Sequence, residues 1–233
     1  MSDSEGILLA ARYGYVTNSL GYCGPKGTGD SLYNFVCTGK GAPQVRKALE
    51  RFEALYPYLR MISRARGIRD PLDEKVVRAH FTGGKLIEGS WQAELSNLIR
   101  GTFSKRGLPR RIAESLASKV PASAVPHHSF HVFFIHTITG SVPATRATEN
   151  NCIISPARYL GNGFAERRFV EKNGRFGKLR KTNVKIDAEF LGRAPEKGDY
   201  LALHWNFAAE ILTKRQAKLL EKINRRNLDA VLG

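Results

Sequence analysis

The chain has 233 residues, of which 42% are hydrophobic and 25% charged, enough to bury a substantial core in one domain or two small ones. Lys and Arg number 37 against 21 Asp and Glu, so the formal net charge is +16 and the pI about 10.0. No window approaches the ~18 apolar residues of a membrane helix, the opening Met1-Ser2-Asp3-Ser4-Glu5 lacks the basic start and apolar stretch of a secretory signal, and three scattered cysteines make no disulfide framework. A membrane span, a secreted disulfide scaffold and a disordered chain are therefore excluded, and the expectation is a basic globular protein of the cytoplasm.

The first part, residues 1–42, reads as the least regular. A short apolar run, Ile7 to Ala11, is followed by Ser19 to Asp30, where Gly21, Gly24, Gly27, Gly29 and Pro25 predict a long loop. The second part, residues 43–125, reads as helical. Pro43 suits a first helical turn, and Val45, Leu49, Phe52, Leu55, Leu59 and Ile62 recur every three or four residues. Pro57 within that stripe predicts a kink or two helices. Asp70-Pro71 predicts the opening of another helix, with Val76, Val77 and Phe81 inward and Asp73 and Glu74 beside its positive end. Two further helical patterns run through Leu86, Trp91, Leu95 and Leu98, and through Pro109, Ile112 and Leu116.

Beyond Pro126 the pattern turns to β. Strands are predicted over His128–Ile138, Asn151–Tyr159, Val184–Phe190 and Tyr200–Trp205, with a type I′ hairpin at Glu171-Lys172-Asn173-Gly174-Arg175. A last helix starts after Thr213, which with Gln216 makes a capping box. Helices followed by a largely antiparallel sheet and a closing helix read as a single α+β unit, with its last part at residues 126–233.

Four of the six histidines, His127, His128, His131 and His136, fall within ten residues. On a strand, residues four apart lie about 13 Å from each other, so His127 and His131 would not share an ion directly. A metal site would instead combine His127 or His128 with His204 and Cys152 or Cys23, because imidazole and thiolate suit zinc, iron or nickel. Strand alternation would put His128 and His136 on one face and His127 and His131 on the other, with His131 supporting the ligands from behind. The alternative is that these histidines hydrogen-bond backbone or carboxylates. Cys23, between Tyr22 and Gly24, is the candidate nucleophile, with His128 or His204 as its base; the alternative is a small buried hydrophobe. The glycine pairs at 27–29 and 39–41 match neither the phosphate loop nor the dinucleotide fingerprint.

Arg167, Arg168, Lys172, Arg175, Lys178, Arg180 and Lys181 stand against Glu171 alone, with Phe169 and Phe176 interleaved. Such a stretch attracts phosphate backbones or an acidic partner, and the closing helix adds Lys214, Arg215, Lys218, Lys222, Arg225 and Arg226. A solvated basic surface is the alternative. The chain carries no RRM, KH or zinc-finger signature.

Four segments carry a wider likeness: Ala11 to Tyr15 with Asn18 to Pro25, Pro126 to Phe133, Asn151 to Ile154, and Gly198 to Trp205. Through them the chain resembles an uncharacterised prokaryotic protein family associated with nickel–iron hydrogenases. The resemblance spans nearly the whole chain and implies one unit with an accessory or maturation role beside a hydrogenase or other metalloenzyme. Two functions are therefore expected. The first is an accessory protein whose Cys/His site binds a metal or thiol-reactive ligand. The second is a basic module, without catalysis, that docks on RNA, the ribosome or an acidic protein.

Overall fold

The computed structural model describes residues 4–136, 140 and 142–233. Met1 to Asp3 of the opening segment, and Thr137 and Ile138 of the first expected strand, lie outside them. The helical part begins earlier than the sequence pattern suggests. Helix α1 (Ser4–Ser19) takes in the apolar run and buries Ile7, Leu9, Ala10, Ala11, Tyr13 and Val16. Because it is covered on nearly every side it shows no single apolar stripe, which is why its periodicity is hard to see. Gly6 permits its closest approach: a Cβ there would stand 1.8 Å from the Leu72 carbonyl oxygen.

Helices α2 (Gly29–Thr38), α3 (Ala42–Leu49) and α4 (Tyr56–Ala65) follow, and Pro57 sits in the first turn of α4, so the expected long stripe is indeed two helices. Helix α5 (Glu74–Phe81) starts later than Asp70-Pro71 suggested. Asp73 caps it by accepting from the Lys75 N–H at 2.8 Å, while Asp70 accepts from Leu72 N–H and takes a two-pronged Arg46 contact at 3.0 and 2.6 Å. Helix α6 (Gln92–Asn97) runs into a π-helical segment, Leu98–Phe103, and α7 (Arg110–Ala117) closes this part.

The expected strand at His128 is a helix. α8 (His128–Phe130) continues into a second π-helical segment, His131–Ile135, whose His136 N–H donates to the His131 carbonyl at 2.8 Å. An unbroken apolar and aromatic run suits a buried helix as well as a buried strand. Here the helix is selected by its start, where the His127 ring accepts from the Ser129 N–H at 3.1 Å, and by Phe130 stacking on Phe134 one turn later, centroids 5.0 Å apart.

After α9 (Arg146–Cys152) come β1 (Ser155–Gly161), β2 (Phe164–Val170), β3 (Phe176–Asn183), α10 (Ala188–Leu191), β4 (Tyr200–His204), β5 (Phe207–Leu212) and α11 (Lys214–Leu232). The five strands form one antiparallel sheet in the order β3-β2-β1-β4-β5. This is the expected α+β class, with three local corrections. Asn151 and Cys152 end a helix, so β1 begins at Ser155. The β2–β3 turn has only Gly174 at positive φ, 76°, with its N–H on the Glu171 carbonyl, and is not type I′. Val184–Phe190 is not a strand: Lys185 makes an isolated parallel bridge to Phe207, and Asp187 caps α10 through the Phe190 N–H. Strand β5 was not expected. Thr213 and Gln216 form the expected capping box on α11. Among the described residues no helix is long and apolar enough to cross a membrane.

The main core joins the two halves. It runs from Ile7 and Tyr13 of α1 through Val76 and Phe81 of α5 and Phe130 of α8 to Ala202 and Phe207 of the sheet and Leu220 of α11. On β4, Ala202 and His204 point to this core, while Leu201 and Leu203 belong to a second cluster with Ala157, Ala165 and Ala208.

Candidate metal centre

Three of the residue types singled out by the sequence meet in space. Ligand atoms of His128, Cys152 and His204 all lie within 4.8 Å of one another. They come from three elements: the first turn of α8, the last residue of α9 and the end of β4. The junction is made by the turn that follows β4, where Trp205 and Asn206 take φ of 51° and 57° and return the chain into β5. The Trp205 N–H donates to the Asn151 carbonyl at 2.7 Å, which holds the tip of β4 beside Cys152. A bulky residue at positive φ is strained, and the surrounding packing must hold it there.

Hydrogen bonds fix how the two imidazoles present themselves. His204 Nδ1 lies 2.9 Å from the Tyr13 carbonyl, which can only accept, so the proton sits on Nδ1 and Nε2 keeps its lone pair. That Nε2 is buried without a well-formed hydrogen bond, although the Cys152 carbonyl stands near the ring, in a residue only 2% exposed. His128 Nε2 lies 3.0 Å from the Cys152 carbonyl and carries the proton in this arrangement. Burial, with smaller effects from neighbours, lowers the pKa of His128 to about 4 and of His204 to about 3. Both are neutral, the form that binds metal. Burial pushes the Cys152 thiol far up, and the charge of Cys23 adds to this, so the thiolate would form only against a strong cation.

These residues fit a transition-metal ion. Tetrahedral zinc with N and S donors sets them about 3.4–3.6 Å apart. The three donors lie within 4.8 Å of one another, so they would have to move closer to share one ion. A ring nitrogen donating to a backbone carbonyl is the arrangement that orients a metal-binding histidine, and His204 already has it. His128, Cys152 and His204 would be the protein ligands, leaving a fourth position open.

The remaining expected site residues fall elsewhere. His127 is fully used, with Nε2 on the Phe81 carbonyl at 3.0 Å and Nδ1 beside Ser129, so it is a helix cap and not a ligand. His131 reaches Tyr58, Nδ1 to Oη 3.4 Å, and stands edge-on to Phe103. The expected division of faces fails with the strand itself, and His136 pairs with Glu149 at 3.5 Å. Cys23 lies in the glycine loop, which Asn18 ties down by donating to the Cys23 and Pro25 carbonyls at 2.8 and 2.9 Å. Gly24 is required next to it, because a Cβ would strike the Phe52 ring at 2.4 Å. Tyr22 stacks on Trp205 with centroids 4.6 Å apart and brings this loop over the centre. Burial and then the Glu53 carboxylate raise the Cys23 pKa to about 12, so it is not an activated nucleophile as it stands.

The basic stretch also divides. Arg167 is 1% exposed and is not part of any surface. It donates to the Asn150 carbonyl, Ser155 Oγ and Asn206 Oδ1 at 2.8–3.0 Å, bracing both sides of the centre, and burial lowers its pKa to about 10. Arg168 is half-buried and pairs with Glu221 at 3.0 Å. Lys172, Arg175, Lys178, Arg180 and Lys181 are exposed, and Phe169, expected to be free for stacking, lies under Arg167 and Arg180.

Two features were not foreseen. His80 of α5 is fully buried, with its ring 5.9 Å from that of His128 and 5.1 Å from that of Tyr58, and burial lowers its pKa to about 3. Its position four residues after Val76 on an apolar face was the available signal. Glu210, buried on β5, accepts from Tyr13 Oη at 2.6 Å and Arg78 at 2.9 Å, a link among three distant elements with no local signature.

No curated protein and no solved structure matches this chain. A family profile does, over residues 2–232, which takes in every residue of the centre. The chain belongs to the family of unknown function DUF6390.

Proposed function

We propose that the chain is a metal-binding accessory protein in which His128, Cys152 and His204 hold one zinc-, iron- or nickel-class ion. The observation that carries this reading is the buried, unpartnered Nε2 of His204 beside a thiol and a second neutral imidazole. Leaving a ring nitrogen buried without a partner costs about 1–3 kcal/mol, and a bound ion removes that cost. Three protein donors and an open fourth position suit an ion that is passed on or exchanged more than one locked in place. Cys23, next to Tyr22 whose ring stacks on Trp205, is the natural fourth donor for such an exchange. The client would be a metalloenzyme, and the hydrogenase link implied by the sequence resemblance would call for nickel.

The test is elemental analysis of anaerobically purified, untagged protein, with cobalt substitution as a spectroscopic readout. About one ion per chain is expected, with a thiolate-to-cobalt charge-transfer band that disappears in Cys152→Ser and weakens strongly in His204→Ala. Folded protein that binds neither the native ion nor cobalt would end this reading.

A second reading rests on exposed Lys172, Arg175, Lys178, Arg180 and Lys181, none of which pairs with a carboxylate among the described residues. They would dock RNA, the ribosome or an acidic protein through the β2–β3 hairpin. Binding that weakens steeply with salt and is lost on reversing Lys178 and Arg180 is expected; binding indifferent to both would exclude it.

A further inference from the structure

A second site lies on the far side of α4 from the metal centre. The inner face of that helix carries Tyr58, Leu59 and Ile62, and Tyr58 meets His80 and Phe103. Its outer face borders a cavity of about 770 Å³ whose other wall includes the π-helical segment Leu98–Phe103. Extra residues of π-helical kind interrupt helices mostly where a function requires them.

This cavity is strongly basic. Arg60, Arg64, Arg69 and Arg106 line it, against the single carboxylate of Glu94. Elsewhere Arg46, Arg78, Arg110, Arg146, Arg168, Arg193 and Arg225 pair with carboxylates. Among the described residues Arg60, Arg64 and Arg69 make no such pair and are exposed, and Arg106 makes one long bond of 3.4 Å to the Phe52 carbonyl. Four guanidinium groups around one concavity repel each other, and a bound polyanion would remove that repulsion. Guanidinium forks match phosphate oxygens two at a time. Between the arginines, Met61, Ile68 and Leu98 supply an apolar surface of the kind that receives a flat ring. The site is a half-open groove whose volume lies within the ~300–1,000 Å³ common for small-molecule sites.

We infer that this cavity binds a nucleoside di- or triphosphate, with its phosphates held by Arg60, Arg64, Arg69 and Arg106 and its base against Met61, Ile68 and Leu98. The inference does not depend on the metal reading. It is tested by titration calorimetry of the whole chain at physiological salt, with ADP, ATP, adenosine and inorganic tripolyphosphate. Saturable one-to-one binding of ATP is expected, clearly tighter than that of tripolyphosphate. The double variant Arg60→Ala/Arg64→Ala should lose affinity by about tenfold or more, as befits two charge-assisted contacts. Both side chains are exposed, so its circular dichroism and melting temperature should stay native. Arg64→Lys, which keeps the charge without the fork, should fall between. A control double variant, Lys178→Ala/Arg180→Ala on the hairpin, should bind as the wild type does. Absence of saturable binding would overturn the inference, as would equal loss in the control. Tripolyphosphate binding as tightly as ATP would overturn the assignment to a nucleotide.

Discussion

The segment that carries His127, His128 and His131 is held at its entrance by one side chain, and removing it should cost stability and disturb the candidate metal centre. Asn227 of α11 is fully buried and accepts from the Val125 N–H at 2.9 Å. Its amide donates to the Val125 carbonyl at 3.2 Å and to Ser129 Oγ at 3.0 Å. Ser129 in turn meets the His127 ring, so the whole first turn of α8 hangs on this contact. Asn227→Ala breaks three buried bonds and leaves the Val125 N–H without a partner, whereas the Val125 carbonyl still accepts from the His127 N–H at 2.7 Å and Ser129 Oγ still meets the His127 ring. At about 1 kcal/mol net for each lost bond, and somewhat more where a donor stays unsatisfied, the loss is about 2–4 kcal/mol. An unfolding entropy of ~2.1 cal/mol/K per residue gives a chain of this size ~0.5 kcal/mol/K, so the melting temperature should fall by about 4–8 °C. Asn224→Ala removes a single bond, to the Ile154 carbonyl at 2.8 Å, and should cost about 1 kcal/mol. Urea unfolding and thermal melts of both variants measure the difference. The cobalt band should also weaken in Asn227→Ala, because His128 loses its support. An Asn227→Ala protein within about 0.5 kcal/mol of wild type, or no worse than Asn224→Ala, would refute this account.

Two further outcomes follow from close packing and from charge. Gly6→Ala puts a Cβ 1.8 Å from the Leu72 carbonyl oxygen and 2.8 Å from Glu74 N, backbone atoms that cannot turn aside. It should destabilise by about 1–3 kcal/mol, whereas Gly101→Ala, with open space around it, should be neutral; equal urea midpoints for the two would contradict the packing. The Arg46 fork holds the Asp70 carboxyl below its ordinary value, with burial opposing. A lowered folded-state pKa adds stability above the unfolded value of about 3.9, and that stability is lost as pH falls through the folded value. Asp70→Asn should therefore be less stable than wild type near neutrality, with the gap closing in acid; a gap independent of pH across urea titrations would show that the pair contributes nothing.

What could be read from the sequence was the chemistry that acts within a few residues. Thr213 with Gln216, Pro57 between two helices, and the hairpin around Gly174 all rest on local bonds, and the α+β order follows from them. The larger misreading, a strand at His128, came where the local signal is silent. His128-Ser129-Phe130-His131-Val132-Phe133-Phe134-Ile135 has no polar face to set a period, so tertiary burial and the His127 cap decide. Helix α1 was obscured for the same reason. Strand β5 was missed because its Glu210 breaks the apolar pattern, and its partners Tyr13 and Arg78 lie far away in sequence. Charge counting assigned Arg167 to a surface, since it sees residue type and not burial. His128, Cys152 and His204 were singled out by type alone, and their meeting depends on the strained Trp205-Asn206 turn.

The buried histidines also bear on what this centre can do. His204, His128, His80 and Tyr58 form a continuous file of rings 5.1–5.9 Å apart, with His131 at the far side of Tyr58. Passing a proton along that file would charge each imidazole in turn, and burial sets His128, His80 and His204 at about 3–4, so each such step is costly near neutrality. A divalent ion meets a different balance. Bound as proposed, it would be joined by one thiolate, which would cancel part of its charge, and by neutral imidazoles that need no ionisation. Tyr13 ties His204 to the rest of the core, since its carbonyl accepts from His204 and its hydroxyl donates to Glu210. Glu210 is in turn paired with Arg78 at 2.9 Å. The burial that disfavours proton transfer here keeps these imidazoles neutral, the form that the proposed ligation would use.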